Sequence, residues 1–428
     1  MAEIRPFKGL RYTEKAGETG SLCCPPYDIV NGGEREALAA RNPYNIIRLE
    51  LPVLGGSDDP TPYREAASTL RSWLNEEILK KDEKEGIYIY EMEFSAYGQS
   101  HKVKGFVSLV KLEPFDKGVI LPHEETLSKA KTDRFNLMKT TGCNFSQIYS
   151  LYMDEDGSAF SLVDKASQGK PDAEFTDGGN VTHRMWIVTD PVFVESLQEK
   201  FADKKLYIAD GHHRYETALN YKEYAENNLE EIGSSEYVTM MLVNMENSGL
   251  VVFPTHRIVR DLPGFNYDEV CEKCREYFDI TPYLNREKGE EGLAKAYAEG
   301  KKAFVLFVGN NNYTLLTLKN IEAMDSLLPH GCKALKQLDV SVLHTLVLER
   351  IFGIDKENMA KQINLTYTRS AQEAIEAVDQ QRANCCFLLN PTRVEEIRDV
   401  AAAGDKMPQK STYFYPKLTT GLVMNKIF

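Results

Sequence analysis

No stretch of the chain reaches the eighteen or so consecutive apolar residues that a membrane-spanning helix needs. The first residues, Met1-Ala2-Glu3-Ile4-Arg5, have no apolar segment of the kind a secretory signal carries. Positive charge is in deficit as well: 51 Lys and Arg stand against 64 Asp and Glu, a formal net charge of −13. The basic residues are dispersed, which makes nucleic acid a poor default partner and leaves room only for a local basic pocket around a small anion. Among eight cysteines there is a single Cys-x-x-Cys, Cys271 to Cys274. A zinc framework needs paired units or histidines at ligand spacing, so this pair reads as two core positions one helical turn apart. Repeats, heptads and low-complexity tracts are missing too. These absences together suggest a cytoplasmic protein in a reducing compartment.

What is present is an ordinary globular composition, 42% hydrophobic and 27% charged over 428 residues, enough for two or three domains. Periodicity predicts an amphipathic helix over 63–81, with Ala66, Ala67, Leu70, Trp73, Leu74 and Ile78 on one face. An antiparallel hairpin is expected at 86–96 and 102–112, joined through Tyr97-Gly98-Gln99-Ser100. Further strands are expected at 145–152, 183–188, 206–209, 237–245 and 249–253, and helices at 191–201 and from 212 onward. Residues 154–182 read as a polar surface excursion, and Ser341 to Phe352 as one long helix. Strand alternating with helix argues for an α/β layer architecture. The expected division is 1–115, 116–262 and 263–428, each an α/β region.

The chemistry gathers at Leu206-Tyr207-Ile208-Ala209-Asp210-Gly211-His212-His213-Arg214. An apolar strand stops at an acid and a glycine, and a helix opens with two histidines and an arginine. The orphan N–H groups and positive dipole end of such a helix suit phosphate. Asp210 could hold Mg²⁺ beside bound phosphates or accept a proton; the plainer alternative is a cap with surface histidines. His212 and His213, adjacent on a helix, point about 100° apart, which disfavours a shared metal. Three other stretches are candidates to surround the same anion: His123-Glu124, His256-Arg257 at an expected strand tip, and the donor-rich tail Lys410-Ser411-Thr412 with Lys417. The tail segment 404–411 nearly spells a phosphate loop, but Gln409 replaces the second glycine and Tyr413-Phe414-Tyr415-Pro416 cannot open a helix.

Pro25-Pro26-Tyr27-Asp28, Asn42-Pro43-Tyr44-Asn45, His123-Glu124 with Asp133-Arg134, Ile208 to Leu219, Pro254-Thr255-His256-Arg257 and Met407 to Lys417 together resemble a bacterial and archaeal family of unknown function, number one thousand and fifteen in its series. The Asp210-Gly211-His212-His213-Arg214 block also resembles the core motif of the ParB/sulfiredoxin superfamily in its free-serine kinase version. That resemblance implies a ParB/sulfiredoxin-like mixed sheet core with additional N- and C-terminal α/β regions. It also implies ATP or ADP as donor, nucleotide phosphates at the strand-turn-helix, and a glutamate that activates the substrate hydroxyl. The expected function is a nucleotide-dependent phosphotransferase on a small hydroxyl compound, with free L-serine as a candidate. The expected catalytic residues are Asp210, His213 and Glu124, with Glu50 and Asp28 as substitutes for the base. Gly211, His212, His213, Arg214, His256, Arg257, Lys410, Ser411 and Thr412 are expected to bind phosphate, and Asp210 to hold Mg²⁺. The rival readings are a non-enzymatic nucleotide sensor and a ParB-like DNA-associated protein. A histidine where sulfiredoxins carry their cysteine removes sulfinic-acid repair, and the acidic balance weakens the DNA reading.

Overall fold

The computed structural model describes every residue except Glu125 and Leu127, and for Ser128 and Lys129 the backbone alone. The fold is mixed α/β. The chain forms two compact units: the first comprises 1–122, 126–251 and 416–428, the second 123–125 and 252–415. The boundary expected at 115/116 therefore falls inside the first unit. The reason is strand pairing, since the hairpin before that point and the strands after it share one sheet.

That sheet has nine strands: β1 (Ile4–Arg5), β2 (Ile87–Ala96), β3 (Gln99–Lys111), β4 (Ile120–Leu121), β5 (Ile148–Tyr152), β6 (Ala173–Thr176), β7 (Thr182–Val188), β8 (Leu206–Asp210) and β9 (Tyr237–Asn244). Their order is β4-β8-β5-β9-β3-β2-β7-β6, with β1 against β3. Pairing is parallel for β4–β8 and β9–β5 and antiparallel elsewhere. Strand β9 is buried at every position, which explains its unbroken Val-Thr-Met-Met-Leu-Val run: a strand covered on both faces has no reason to alternate. The β2–β3 turn is tighter than expected. Tyr97 and Gly98 both take positive φ, +51° and +73°, the handedness that lets two residues close a hairpin.

Four helices of this unit matter for the site: α1 (Thr61–Asn75), α2 (Ser128–Thr141), α3 (Pro191–Phe201) and α4 (His212–Asn228). Helix α1 buries Tyr63, Ala66, Ala67, Leu70 and Trp73 as its period predicts, but it stops short of Lys81. Glu77 adopts φ +55°, and Leu79–Lys81 leaves the helix to pair with Leu10–Tyr12. Residues 154–182, expected to be a surface excursion, contain a helix at Ser158–Ala166 and strand β6. The Asp154 carboxylate accepts from the N–H of Ala159 and of Phe160 at 3.3 and 2.9 Å, which fixes that helix's start; Ala159 and Val163 are buried beneath it. Among the described residues no helix is long and apolar enough to cross a membrane.

The second unit is built on a six-stranded antiparallel sheet: β10 (His256–Val259), β11 (Phe278–Tyr283), β12 (Ala303–Phe307), β13 (Tyr313–Leu318), β14 (Leu365–Thr368) and β15 (Cys385–Leu389), in the order β11-β13-β12-β15-β10-β14. Helices α5 (Arg286–Ala298) and α6 (Ala371–Asp379) supply Leu293, Ala296, Ile375 and Val378 to a core with Val305, Phe307 and Leu388. Cys271 and Cys274 are buried free thiols of a helix at Tyr267–Cys274, as the periodicity predicts. The single helix expected over 341–352 is instead a short α-turn, Asp339–Val342, followed by seven residues of π-helix, Leu343–Glu349.

Asp339 carries a testable consequence. Its Oδ1 is buried with no hydrogen-bond partner among the described residues. Burial pushes its carboxyl up to about 7, with Lys302 opposing and Glu396 reinforcing the shift. The folded state therefore holds a proton that the unfolded chain releases near pH 4, so this group lowers stability as pH rises from about 4 to 7. Asp339→Asn is expected to raise the urea midpoint at pH 8 and to leave it nearly unchanged at pH 4, as read by chemical denaturation at the two pH values.

Candidate functional site

Strand β8 and helix α4 meet as the sequence predicts, and a bulge aims the junction. Ile208 pairs with Ser150 and Asp210 with Tyr149, so Ala209 is the extra residue in the ladder. A bulge bends the strand and re-aims the side chain after it, here Asp210. Gly211 follows with φ +95°, a conformation glycine takes without a Cβ penalty. Space demands glycine as well, because a Cβ there would lie 3.0 Å from the Arg214 guanidinium. Helix α4 starts at His212, and its N-cap, Gly211, has no side chain with which to cap it.

Asp210 sits between two cations. Arg214 Nη2 donates to its Oδ2 at 2.6 Å, and Lys417 Nζ donates to its Oδ1. Arg214 Nη1 donates to the Gln147 carbonyl. Burial pushes the Asp210 carboxyl up, but the charges of Lys417 and Arg214, with the Lys417 hydrogen bond, outweigh it and hold the group well below the usual carboxylate range. Lys417 reaches this place because 416–428 returns to the first unit. Thr420 exchanges backbone hydrogen bonds with Cys24 at 3.1 and 2.8 Å, and Asn425–Lys426 pairs with Cys143–Asn144.

Behind Arg214 lies a second set of buried charges. Glu50, Arg134, Ser146, Arg214 and Thr217 line one small cavity of about 40 Å³. Glu50 Oε1 accepts from Ser146 Oγ at 2.9 Å and lies 3.5 Å from Arg134 Nη1. Arg134 donates to Asp133 Oδ2 at 2.8 and 2.6 Å, and its guanidinium lies 4.1 Å above the Tyr27 ring. Tyr63 donates to Asp133 Oδ1 at 2.6 Å. Burial raises the Glu50 pKa; Arg134, the Ser146 hydrogen bond and Arg214 pull it back only in part.

The expected site residues thus fall into two groups. Asp210, Gly211, His212, His213 and Arg214 lie in the first unit, with His212 buried and His213 half-buried. Glu124, His256, Arg257, Lys410, Ser411 and Thr412 lie in the second. There, His123 Nε2 and Thr412 Oγ1 are 2.9 Å apart, Glu124 accepts from the Lys410 N–H at 3.3 Å, and Thr392 donates to the Ser411 carbonyl at 2.8 Å. The second glutamate of His-Glu-Glu, Glu125, lies outside the described residues. His256 and Arg257 do not end the strand expected at 249–253: they open β10 and pair within its sheet, Arg257 with both Tyr367 and Phe387. His256 Nδ1 accepts from the Leu389 N–H at 3.2 Å, and burial, then Arg257, pushes its pKa down to about 4.

Mg²⁺ held by Asp210 does not fit this arrangement. Both carboxylate oxygens already face cations, and no group of three metal-ligating side chains occurs among the described residues. By sequence alone Lys417 is one donor of the tail and Glu50 a substitute for the base. The available signals were the charged residues beside the quoted motifs, Glu50 five residues past Asn45 and Arg134 beside Asp133.

The family described as "Protein of unknown function (DUF1015)" matches residues 4–341. No curated protein is matched. Among solved structures, a conserved hypothetical protein from Pyrococcus furiosus is similar at 14% identity and TM-score 0.37, over 75% of this chain and 97% of that one. A free serine kinase in complex with AMP is similar at 13% identity and TM-score 0.37, over 75% and 93%. SbnI with a C-terminal truncation, from Staphylococcus aureus, is similar at 10% identity and TM-score 0.38, over 75% and 87%.

Proposed function

Taking as premise that this chain belongs to the family of unknown function DUF1015, we propose that it is a nucleotide-dependent phosphotransferase acting on a small hydroxyl compound. The observation that carries the reading is the turn from β8 into α4, where the half-buried Asp210 carboxylate holds Arg214 and Lys417 beside the helix start. Phosphoryl transfer asks a protein mainly for positioning and charge stabilisation. The leading N–H groups of α4 offer hydrogen bonds to phosphate oxygens, and the helix dipole adds favourable potential. Lys417 supplies positive charge beside them, so Asp210 acts by placing cations.

We assign the base to Glu50 rather than to Glu124. Glu50 shares a cavity with Arg214 and has a pKa raised by burial, which suits a group that must take a proton near neutral pH. In the step, the substrate hydroxyl oxygen bonds to the terminal phosphorus. The bond from that phosphorus to the leaving nucleotide's oxygen breaks, and the hydroxyl proton passes to the carboxylate. The short resemblance of the Asp210–Arg214 block to free-serine kinases makes L-serine the first acceptor to try. Incubation with L-serine, Mg²⁺ and either ATP or ADP is expected to yield phosphoserine, read by ³¹P NMR. Absence of product with both donors, together with no nucleotide binding by calorimetry, overturns the reading. Tight binding without turnover favours the nucleotide sensor instead.

A further inference from the structure

The second unit contains a cavity of about 160 Å³ whose apolar lining comes from Leu328, Leu335, Met359 and Met407 and whose polar lining comes from Ser341, His344 and Tyr367. The hydroxyls of Ser341 and Tyr367 are buried and make no hydrogen bond within the described residues, and Ser341 is only 2% exposed. Proteins seldom leave buried hydroxyls unsatisfied, and such a group asks for a missing water, ion or ligand. Two of them on the wall of one cavity narrow the question to what that cavity holds.

His344 supplies the third group. Arg257 Nε donates to His344 Nε2 at 3.3 Å. A guanidinium has no acceptor, so Nε2 must carry the lone pair and Nδ1 the proton. Burial, then the charge of Arg257, keeps the ring neutral. His344 is therefore fixed as an N–H donor on the cavity's lining. Arg257 itself is 1% exposed, donates among the described residues otherwise to the Thr255 and Lys410 carbonyls at 2.5 and 3.2 Å, and lies 5.4 Å from the Tyr367 ring centroid. No carboxylate among the described residues pairs with it, and a buried cation without a counter-ion is costly. Of the residues around it, His344 and Tyr367 line the cavity. Lys406 lines it as well; Glu349 and Lys356 are its other charged residues. His344 also sits in the π-helix Leu343–Glu349, an unfavourable local geometry that persists mostly where it serves a site.

We infer that this cavity binds a small carboxylate with a short apolar body, the carboxylate accepting from Ser341, His344 and Tyr367 in the field of Arg257. A dry cavity of about 150 Å³ holds benzene, so a ligand of about six heavy atoms fits and a nucleotide does not. The site lies wholly within the second unit and does not depend on the phosphotransferase reading.

The test uses the full chain, with butyrate, butanamide and inorganic phosphate as probes, by calorimetry and thermal melting. Butyrate is expected to bind at one site and raise the melting temperature. Butanamide, which lacks the charge, is expected to bind at least about tenfold more weakly. In Ser341→Ala/Tyr367→Phe, butyrate affinity is expected to fall at least about tenfold, while the ligand-free melting temperature stays level or rises, because neither hydroxyl has a protein partner to lose. The inference is overturned if butyrate does not bind, or if the double variant binds it equally well. A markedly lower ligand-free melting temperature in the double variant also overturns it, since the hydroxyls then serve the fold. Binding of phosphate in place of butyrate overturns the carboxylate assignment.

Discussion

Asp210→Ala is expected to destabilise the protein by about 3–5 kcal/mol, the cost of removing one partner from a buried ion pair and leaving the other charge uncompensated. Here the cost falls on two cations, Arg214 and Lys417, whose side chains are each only 10% exposed. The double variant Asp210→Asn/Lys417→Met is expected to recover part of that loss, because one stranded cation goes with its partner. Urea denaturation of the three proteins at pH 7 measures both effects. The sign with pH follows from the depressed Asp210 pKa. Its contribution is present above the unfolded value near 4 and is lost as pH falls through the folded value. The gap between wild type and Asp210→Asn should therefore hold from pH 7 to about 5 and narrow below pH 4. A gap independent of pH would mean that the carboxylate's charge contributes nothing, and the placement of Arg214 and Lys417 would need another cause.

Glu50→Gln is expected to do the opposite: to lower phosphoryl transfer by about 10²–10⁴-fold, the usual contribution of a positioned base, while the protein stays folded. Glutamine keeps the length of the side chain and can still accept from Ser146 Oγ, and Arg134 keeps its bond to the backbone carbonyl of residue 50. Burial raises the Glu50 pKa, so the folded state binds a proton more tightly than the unfolded chain does. Ionisation of Glu50 then erodes stability as pH rises past the unfolded value toward the folded one, and the amide removes that loss. The variant should melt no lower than wild type at pH 8. Single-turnover transfer and thermal melting on one preparation decide the matter: full activity in Glu50→Gln sinks the assignment of the base, whereas lost activity with a lower melting temperature shows a structural role. Glu124→Gln, made in parallel, tests the alternative base.

The contrast between these two carboxylates shows where the sequence was legible. Asp210 was visible because its surroundings are local. Strand, bulge, glycine and helix start lie within nine consecutive residues, and each has a residue-level cause. Strands β2, β3, β7 and β9 were legible for a similar reason, since their pattern or its absence reflects which faces are covered. Glu50 was harder to weigh. Its importance comes from Arg134, Ser146 and Arg214, which lie 84 to 164 positions away in the chain, and spacing says nothing about such meetings. The same holds for Lys417, whose partner Asp210 stands 207 residues earlier. Helix ends failed in another way. Glu77 ends α1 through its own φ, and the 341–352 segment winds as a π-helix although its sequence is ordinarily helical; both outcomes are set by packing rather than propensity.

The return of 416–428 to the first unit also bears on biosynthesis. A ribosome adds about 5–20 residues each second, so the 207 residues between Asp210 and Lys417 take about 10–40 s to emerge. For that interval the nascent first unit has Arg214 but not the lysine, and its sheet can form before its charge balance does. A ribosome-bound chain halted at residue 400 and the released 428-residue chain should differ in protease resistance around Asp210, even though every strand of the large sheet is already present in both.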